Sequence, residues 1–294
     1  MPKLNKVVIP IAGLGTRMLP ATKAIPKEML PVVNKPIIQY IVEEAVSAGF
    51  KEIIFVTHSS KYSVENHFDT SFELEATLEK RVKRALLKEI KSISKLNIFV
   101  SSIRQGEAKG LGHAILSARS VVGKNPFAVI LPDMLIKDNN KLNNLNLMKK
   151  TFEKEGLSSI LIGEALKKDL SKYGIVDLEK KNGSPVLIKK IIEKPSQSKA
   201  PSKFFAAGRY IFNNSIFSYL DEVKEDASGE LQLTDAISDY LSAGKKILAF
   251  KTNGKIYDCG EKIGYLKAIL DYSFEDKNLK KDLLKHIKNL SHKS

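Results

Sequence analysis

The residues best suited to chemistry stand near the N-terminus. An apolar run, Lys6 to Ala12, opens into Gly13-Leu14-Gly15-Thr16-Arg17, and ten positions past the arginine comes Lys27. A glycine-rich turn after a parallel strand exposes backbone N–H groups that suit phosphate oxygens. Arginine grips such oxygens bidentately and lysine adds a mobile point charge, so the set suits a triphosphate. A tight turn flanked by solvated cations is the plainer reading of the same residues. Two familiar signatures are excluded. The dinucleotide pattern G-x-G-x-x-G needs a third glycine where Met18 stands, and G-x-x-x-x-G-K-[ST] occurs nowhere in the chain.

Carboxylates follow further on. Asp133 comes just after the apolar run Phe127 to Leu131, at the carboxyl end of a strand, where open α/β sheets bind ligands. A carboxylate there suits Mg2+, which prefers oxygen ligands and substrate phosphates, and equally suits a turn or helix cap. Glu193-Lys194-Pro195 ends another strand. Glu193 can accept sugar hydroxyls and Lys194 can bind a phosphate, or the two are simply a charged strand end. Asp258, in Tyr257-Asp258-Cys259-Gly260, precedes a helix and is a candidate N-cap or second metal ligand. No G-x-S-x-G elbow is present, the five histidines lack metal-ligand spacing, and the single Cys259 excludes an internal disulfide framework and a cysteine-rich zinc site.

The elements that must position these groups alternate. Strand-like runs at Lys6–Ala12, Glu52–Thr57, Asn97–Ser101 and Phe127–Leu131 are interleaved with helical periodicity over Pro36–Ala48 and Leu111–Arg119. Such alternation predicts an α/β fold with a mixed, mainly parallel central sheet flanked by helices. After about residue 157 the chain turns β-rich, with strands over 159–165, 174–178, 186–192 and 204–212, then helices over 233–242 and 261–274. No linker or internal repeat divides it, so one domain is expected.

Composition narrows the class. Lys and Arg number 48 against 33 Asp and Glu, a net +15, which favours anionic partners. Much of the excess clothes two amphipathic stretches. One is Phe72 to Ile93, with Leu74, Leu78, Val82, Leu86 and Ile90 on one face; the other is the tail, with Leu279, Leu283, Ile287 and Leu290. Solvated helical faces explain both, and no nucleic-acid fingerprint accompanies them. No apolar stretch approaches a membrane span. Lys3 and Lys6 before an apolar run faintly imitate a signal peptide, but Gly13, Gly15 and Arg17 interrupt it, so the segment reads as the first strand of a cytoplasmic protein.

Taken in order, these motifs resemble the bacterial UTP–glucose-1-phosphate uridylyltransferases of the sugar-nucleotide pyrophosphorylase superfamily, from about Lys6 through Phe274. The resemblance rests on GLGTRMLPATKAIPKEMLP (13–31), HSSKYSVENHFDTSFELE (58–75), RQGEAKGLGH (104–113), VILPD (129–133), EKP (193–195), LQLTDA (231–236) and Asp258 to Gly260. The second block is typical of uridylyl enzymes and not expected in the similar thymidylyltransferases. The resemblance implies a single Rossmann-like nucleotidyltransferase domain over 1–274, with a nucleotide-binding half at 1–157, a sugar-binding half at 158–274, and a basic amphipathic helix at 275–294. It implies uridylyl transfer from UTP to α-D-glucose 1-phosphate, giving UDP-glucose and pyrophosphate, with no covalent enzyme intermediate.

Carried onto this chain, it gives Ala12, Gly13 and Gly15 backbone contacts to nucleotide, Arg17 the departing β,γ-phosphates, and Lys27 the charge growing at the α-phosphate. Gln105 would meet the uracil edge beside the Gly110 backbone. Asp133 and Asp258 would hold Mg2+, Gly174 and Glu193 would contact glucose hydroxyls, and Lys194 the sugar phosphate. Homodimers or homotetramers are usual in such a family, and neither membrane nor nucleic acid is an expected partner. Met134 follows Asp133, so no adjacent second carboxylate is available and Asp258 carries more of the metal role. Asn34 replaces a frequent Asp and is expected at the surface, while the loop 179–185 and the tail match poorly. Replacing Arg17 or Asp133 by Ala is expected to cut turnover without unfolding, both being solvent-facing. The rival readings are a thymidylyltransferase and a non-catalytic regulatory relative.

Overall fold

The computed structural model describes residues 3–59, 61–138, 143–179 and 186–291; most of the poorly matching loop and the last three residues lie outside them. β1 (Lys6–Pro10) runs into the glycine turn, and the short pair β2 (Pro31–Val32) and β3 (Lys35–Pro36) leads to α1 (Ile37–Ser47). Next come β4 (Glu52–Thr57), α2 (Tyr62–Phe68), α3 (Phe72–Lys80), α4 (Arg84–Ser94) and β5 (Phe99–Arg104). α5 (Gly110–Ser117), α6 (Arg119–Val122) and β6 (Phe127–Ile130) complete the first half. The second half holds β7 (Met134–Lys137), α7 (Asn144–Glu155), β8 (Ser158–Glu164), β9 (Ile175–Leu178), β10 (Ile188–Ile192) and β11 (Phe204–Phe212). α8 (Ile216–Glu222), α9 (Leu233–Ser242), β12 (Ile247–Lys251), β13 (Lys255–Asp258), α10 (Lys262–Ser273) and α11 (Lys277–Ser291) finish the chain.

One mixed sheet, ordered β10-β9-β11-β6-β1-β4-β5, forms the centre, with β8 beside β11 and β12 beside β8. It is parallel through β6, β1, β4 and β5, and antiparallel around β11. Both faces are covered, which is why β1 and β4 read as unbroken apolar runs. Val7 and Ile9 point into a core shared with Ile38, Ile41 and Val42 of α1 and Met148 of α7. Val8 points the other way, toward Ile115 of α5, Phe217 of α8 and Ile237 of α9.

Two local features set the surroundings of Asp133. β11 carries a bulge between Ala206 and Tyr210, where Gly208 takes φ +72° and lies so close to Leu131 that a Cβ would come within 3.0 Å of that side chain. β13 pairs antiparallel with β7, placing Asp258 opposite Met134. Away from the site, the expected single helix over 72–93 is broken. Val82 adopts φ +54° and is 68% exposed, so α3 and α4 fold back as a hairpin. An apolar ladder without a core beneath it has little to keep it straight.

Asp138, beyond β7, accepts a hydrogen bond from Asn144 at the start of α7. Burial and the neighbouring charge of Glu44 push its carboxyl from the ordinary 3.8 up to about 6. Between those values the folded chain binds more protons than the unfolded one, so this group makes stability fall as pH rises through the window. Thermal melts of Asp138→Asn should therefore gain on wild type from pH 4 to pH 6.5. A difference that does not change with pH would remove Asp138 as the source.

Candidate active site

Three short 3-10 turns, Thr16–Met18, Ala21–Lys23 and Lys27–Met29, fold the segment after β1 back over the carboxyl ends of the parallel strands. Thr22 Oγ1 donates to the Gly15 carbonyl at 2.7 Å and closes the turn. The result is a cavity of about 450 Å3 lined by Ala12, Gly13, Gly15, Lys27, Gln105, Gly110 and Asp133. Gly110 sits at φ +85°, and a Cβ there would come within 2.8 Å of Glu230, so the close approach needs glycine. The Gln105 amide nitrogen donates to the Gly110 carbonyl at 3.2 Å and contacts His113 Nδ1 at 3.0 Å.

A second cavity of about 220 Å3 adjoins it, lined by Arg17, Asp133, Tyr173, Gly174, Glu193, Lys194, Tyr210, Thr234 and Asp258. A Cβ on Gly174 would lie 2.9 Å from Thr234 and 3.2 Å from Glu193 Oε2, so glycine leaves that carboxylate its space. Leu111, Leu131, Asp133 and Glu230 line both cavities. Asp133 is therefore shared by the two.

The charges at that junction are tightly matched. Lys27 Nζ lies 2.7 Å from Asp133 Oδ2. Burial alone would push the Asp133 carboxyl up, but the Lys27 and Arg17 charges outweigh it and hold it below the usual range. Burial likewise opposes the charged form of Lys27, and the carboxylates of Asp133 and Glu28 overcome it, raising its pKa. The Cys259 N–H donates to the Asp133 carbonyl at 2.7 Å, which locks Asp258 beside Asp133. Asp258 Oδ1 accepts from the Gly260 N–H at 3.0 Å and Oδ2 from the Tyr173 hydroxyl at 3.2 Å. Burial and the like charge of Asp133 raise its pKa, with Arg17 and Tyr173 pulling the other way. Of the two carboxylates, Asp133 is thus well compensated by cations and Asp258 less so. Their oxygen donors fit a hard divalent ion whose remaining ligands would come from phosphates and water. Among the described residues no third carboxylate or histidine joins them.

Arg17 lines the second cavity and reaches toward Asp133 (3.8 Å), Asp258 (3.7 Å) and Glu261 (3.4 Å). Two expectations change. Asp258 is no helix cap, since it ends β13 and Glu261 stands at the N-cap position of α10. Asp133 is not solvent-facing: its side chain is 18% exposed, against 52% for Arg17. Asn34 is exposed, as expected, and donates to Glu89 at 2.9 Å.

Two supports were not singled out from the sequence. Lys61, before α2, pairs at 2.9 Å with Glu28, the residue after Lys27, both nearly fully buried. Arg209 of β11, fully buried, fastens the turn that carries Asp133. Its Nε and Nη2 take Glu44 of α1 at 2.8 and 2.6 Å, Nη2 also takes the Met134 carbonyl at 2.8 Å, and Nη1 takes the Leu131 and Gly208 carbonyls at 3.3 and 3.4 Å. An arginine inside the apolar run Phe204–Phe212 was the available signal.

The chain is similar to known proteins along nearly its whole length. Residues 6–275 match the family Nucleotidyl transferase. A UTP–glucose-1-phosphate uridylyltransferase of Haemophilus ducreyi is 51% identical over 97% of this chain and 99% of its own. A UTP-bound UGPase from Acinetobacter baumannii superposes with a TM-score of 0.89 at 43% identity, covering 98% of this chain and 99% of that one. A UDP-glucose pyrophosphorylase complexed with UDP-glucose gives 0.84 at 41% identity, covering 93% of this chain and 100% of that one. With identity of this level along nearly its whole length, the chain belongs to the nucleotidyl transferase family and, within it, to the UTP–glucose-1-phosphate uridylyltransferases.

Proposed function

We propose that the protein transfers the uridylyl group of UTP to α-D-glucose 1-phosphate, releasing pyrophosphate and forming UDP-glucose. The observation that carries this is the meeting of two cavities at Asp133, with Lys27 2.7 Å from its carboxylate. One cavity has the glycine turn and Gln105 for a nucleotide; the other has Glu193 and Lys194 for a sugar phosphate. The first is lined almost wholly from 1–157, which supports assigning the nucleotide to that half and the sugar to 158–274.

In this reading a phosphate oxygen of glucose 1-phosphate attacks the α-phosphorus of UTP in line, and the bond to the β,γ-pyrophosphate breaks. No side chain becomes covalently attached. Such a reaction asks the protein for positioning and charge stabilisation. Lys27 faces the α-phosphate, Lys194 orients the incoming phosphate, and Glu193 accepts glucose hydroxyls. Arg17, half-exposed, is free to turn from the carboxylates toward the departing pyrophosphate. Asp133 and Asp258 would hold Mg2+, which when bound supplies positive charge between the phosphates.

The deciding assay is pyrophosphate release from UTP with glucose 1-phosphate, omitting each substrate and Mg2+ in turn, with dTTP in parallel. Release requiring all three is expected. Faster turnover of dTTP would move the protein to the thymidylyl enzymes, and UDP-glucose binding without turnover would make it a regulatory relative.

Self-association and a cytoplasmic setting belong to the same reading. β5 ends the sheet among the described residues, with Phe99 71% exposed, and Leu279, Leu284, Ile287 and Leu290 of α11 are exposed as well. Light scattering at the monomer mass would overturn the association.

A further inference from the structure

We infer that His113, together with the Gly110 carbonyl, holds the polarity of the Gln105 amide and so helps set which nucleobases this enzyme accepts. The inference rests on the reading that Gln105 meets the base. Gln105 is 4% exposed and lines the nucleotide cavity. Both hydrogens of its amide nitrogen are engaged, one by the Gly110 carbonyl at 3.2 Å and the other by His113 Nδ1 at 3.0 Å. A carbonyl only accepts, so the amide cannot turn over without setting Oε1 against the Gly110 oxygen. The nitrogen in turn only donates, so His113 must present a lone pair on Nδ1 and carry its proton on Nε2.

Gln105 Oε1 is therefore the atom left for the base, and it is an acceptor alone. Uracil and thymine offer it the N3–H donor. Cytosine offers the N3 lone pair, and two acceptors would face each other without a proton between them. A site built around one hydrogen-bonding group rejects the wrong partner far more strongly than an apolar pocket rejects a methyl group. Gln105, held by Gly110 and His113, thus selects pyrimidines bearing N3–H and rejects cytosine. The choice between UTP and dTTP lies outside this device, since their N3–H edges are alike.

The test compares kcat/KM for UTP with that for CTP in the Mg2+-dependent pyrophosphate assay. Wild type is expected to prefer UTP by at least about 100-fold. His113→Phe keeps a ring but removes the acceptor, and should shrink the preference by about tenfold, the worth of one ordinary hydrogen bond. His113→Asn, whose Oδ1 stands near the place of Nδ1, should restore most of it. If the phenylalanine variant does not fold, His113→Ala reads the same ratio. A ratio that stays at the wild-type value in a folded His113→Phe or His113→Ala variant overturns the inference, including the case in which both nucleotides lose rate equally. Gln105→Leu separates the two levels. If it too leaves the ratio unchanged, the assignment of Gln105 to the base has failed; if it collapses the ratio and the His113 variants do not, only the role of His113 has failed.

Discussion

Lys27→Met is expected to lower kcat for pyrophosphate release by about a hundred- to a thousand-fold, the usual consequence of deleting one preorganised charge at a reacting centre. The methionine keeps the length of the side chain and its packing, so the loss reads charge rather than shape. Lys27 is the cation nearest Asp133, at 2.7 Å, and its sequence neighbour Glu28 is anchored in a buried pair with Lys61. Its ammonium therefore has little freedom to wander and little reorganisation to undergo when negative charge gathers at the α-phosphate. Arg17→Ala should also reduce turnover, but its melting temperature should stay near wild type because half of that side chain is in water. Steady-state kinetics and thermal melts on both variants separate these outcomes. A Lys27→Met enzyme within about threefold of wild type would remove Lys27 from the chemistry.

The second large effect is on the fold. Arg209→Met should cost about 3–5 kcal/mol, because it leaves the Glu44 carboxylate in a largely buried place without its partner. Glu44 is 13% exposed and Arg209 not at all, so water offers little relief. Changing both, Arg209→Met with Glu44→Leu, should recover most of the stability, since apolar replacements often equal a buried ion pair. Activity should not return. The carbonyls of Leu131 and Met134 bracket Asp133, and without the guanidinium that turn loses its clamp. Urea midpoints and kcat on the single and double variants test this. A double variant as active as wild type would make the pair a stabilising contact and nothing more.

The contrast between motif and support explains what was legible in the sequence. Gly13, Asp133 and Glu193 stand just after strand ends and Lys27 in a short turn, where residue type and spacing reveal chemistry without knowledge of packing. Strand β11 and helix α9 were readable to the residue because their patterns are long. The nearness of Asp258 to Asp133 was not, for it depends on β13 choosing β7, a pairing across more than a hundred residues that local periodicity does not encode. The break at Val82 carried no glycine or proline to announce it. Glu28, Glu44, Lys61 and Arg209 drew no role from the sequence, since charged residues usually face water; only the assembled layers bury them. The three carboxylates that Arg17 reaches come from distant parts of the chain and leave no local signal.

The Glu44–Arg209 clamp also constrains descent. A chain that loses one partner first passes through a form worse than either end state, so the two positions can drift only as a unit, and a lineage that has exchanged them will seldom return one step at a time. The partners lie on opposite sides of the point where the chain turns β-rich. Recombination there between two enzymes that solved this contact differently would leave a buried charge without its counterpart, and such hybrids should fail by misfolding even where every residue touching nucleotide and sugar is shared.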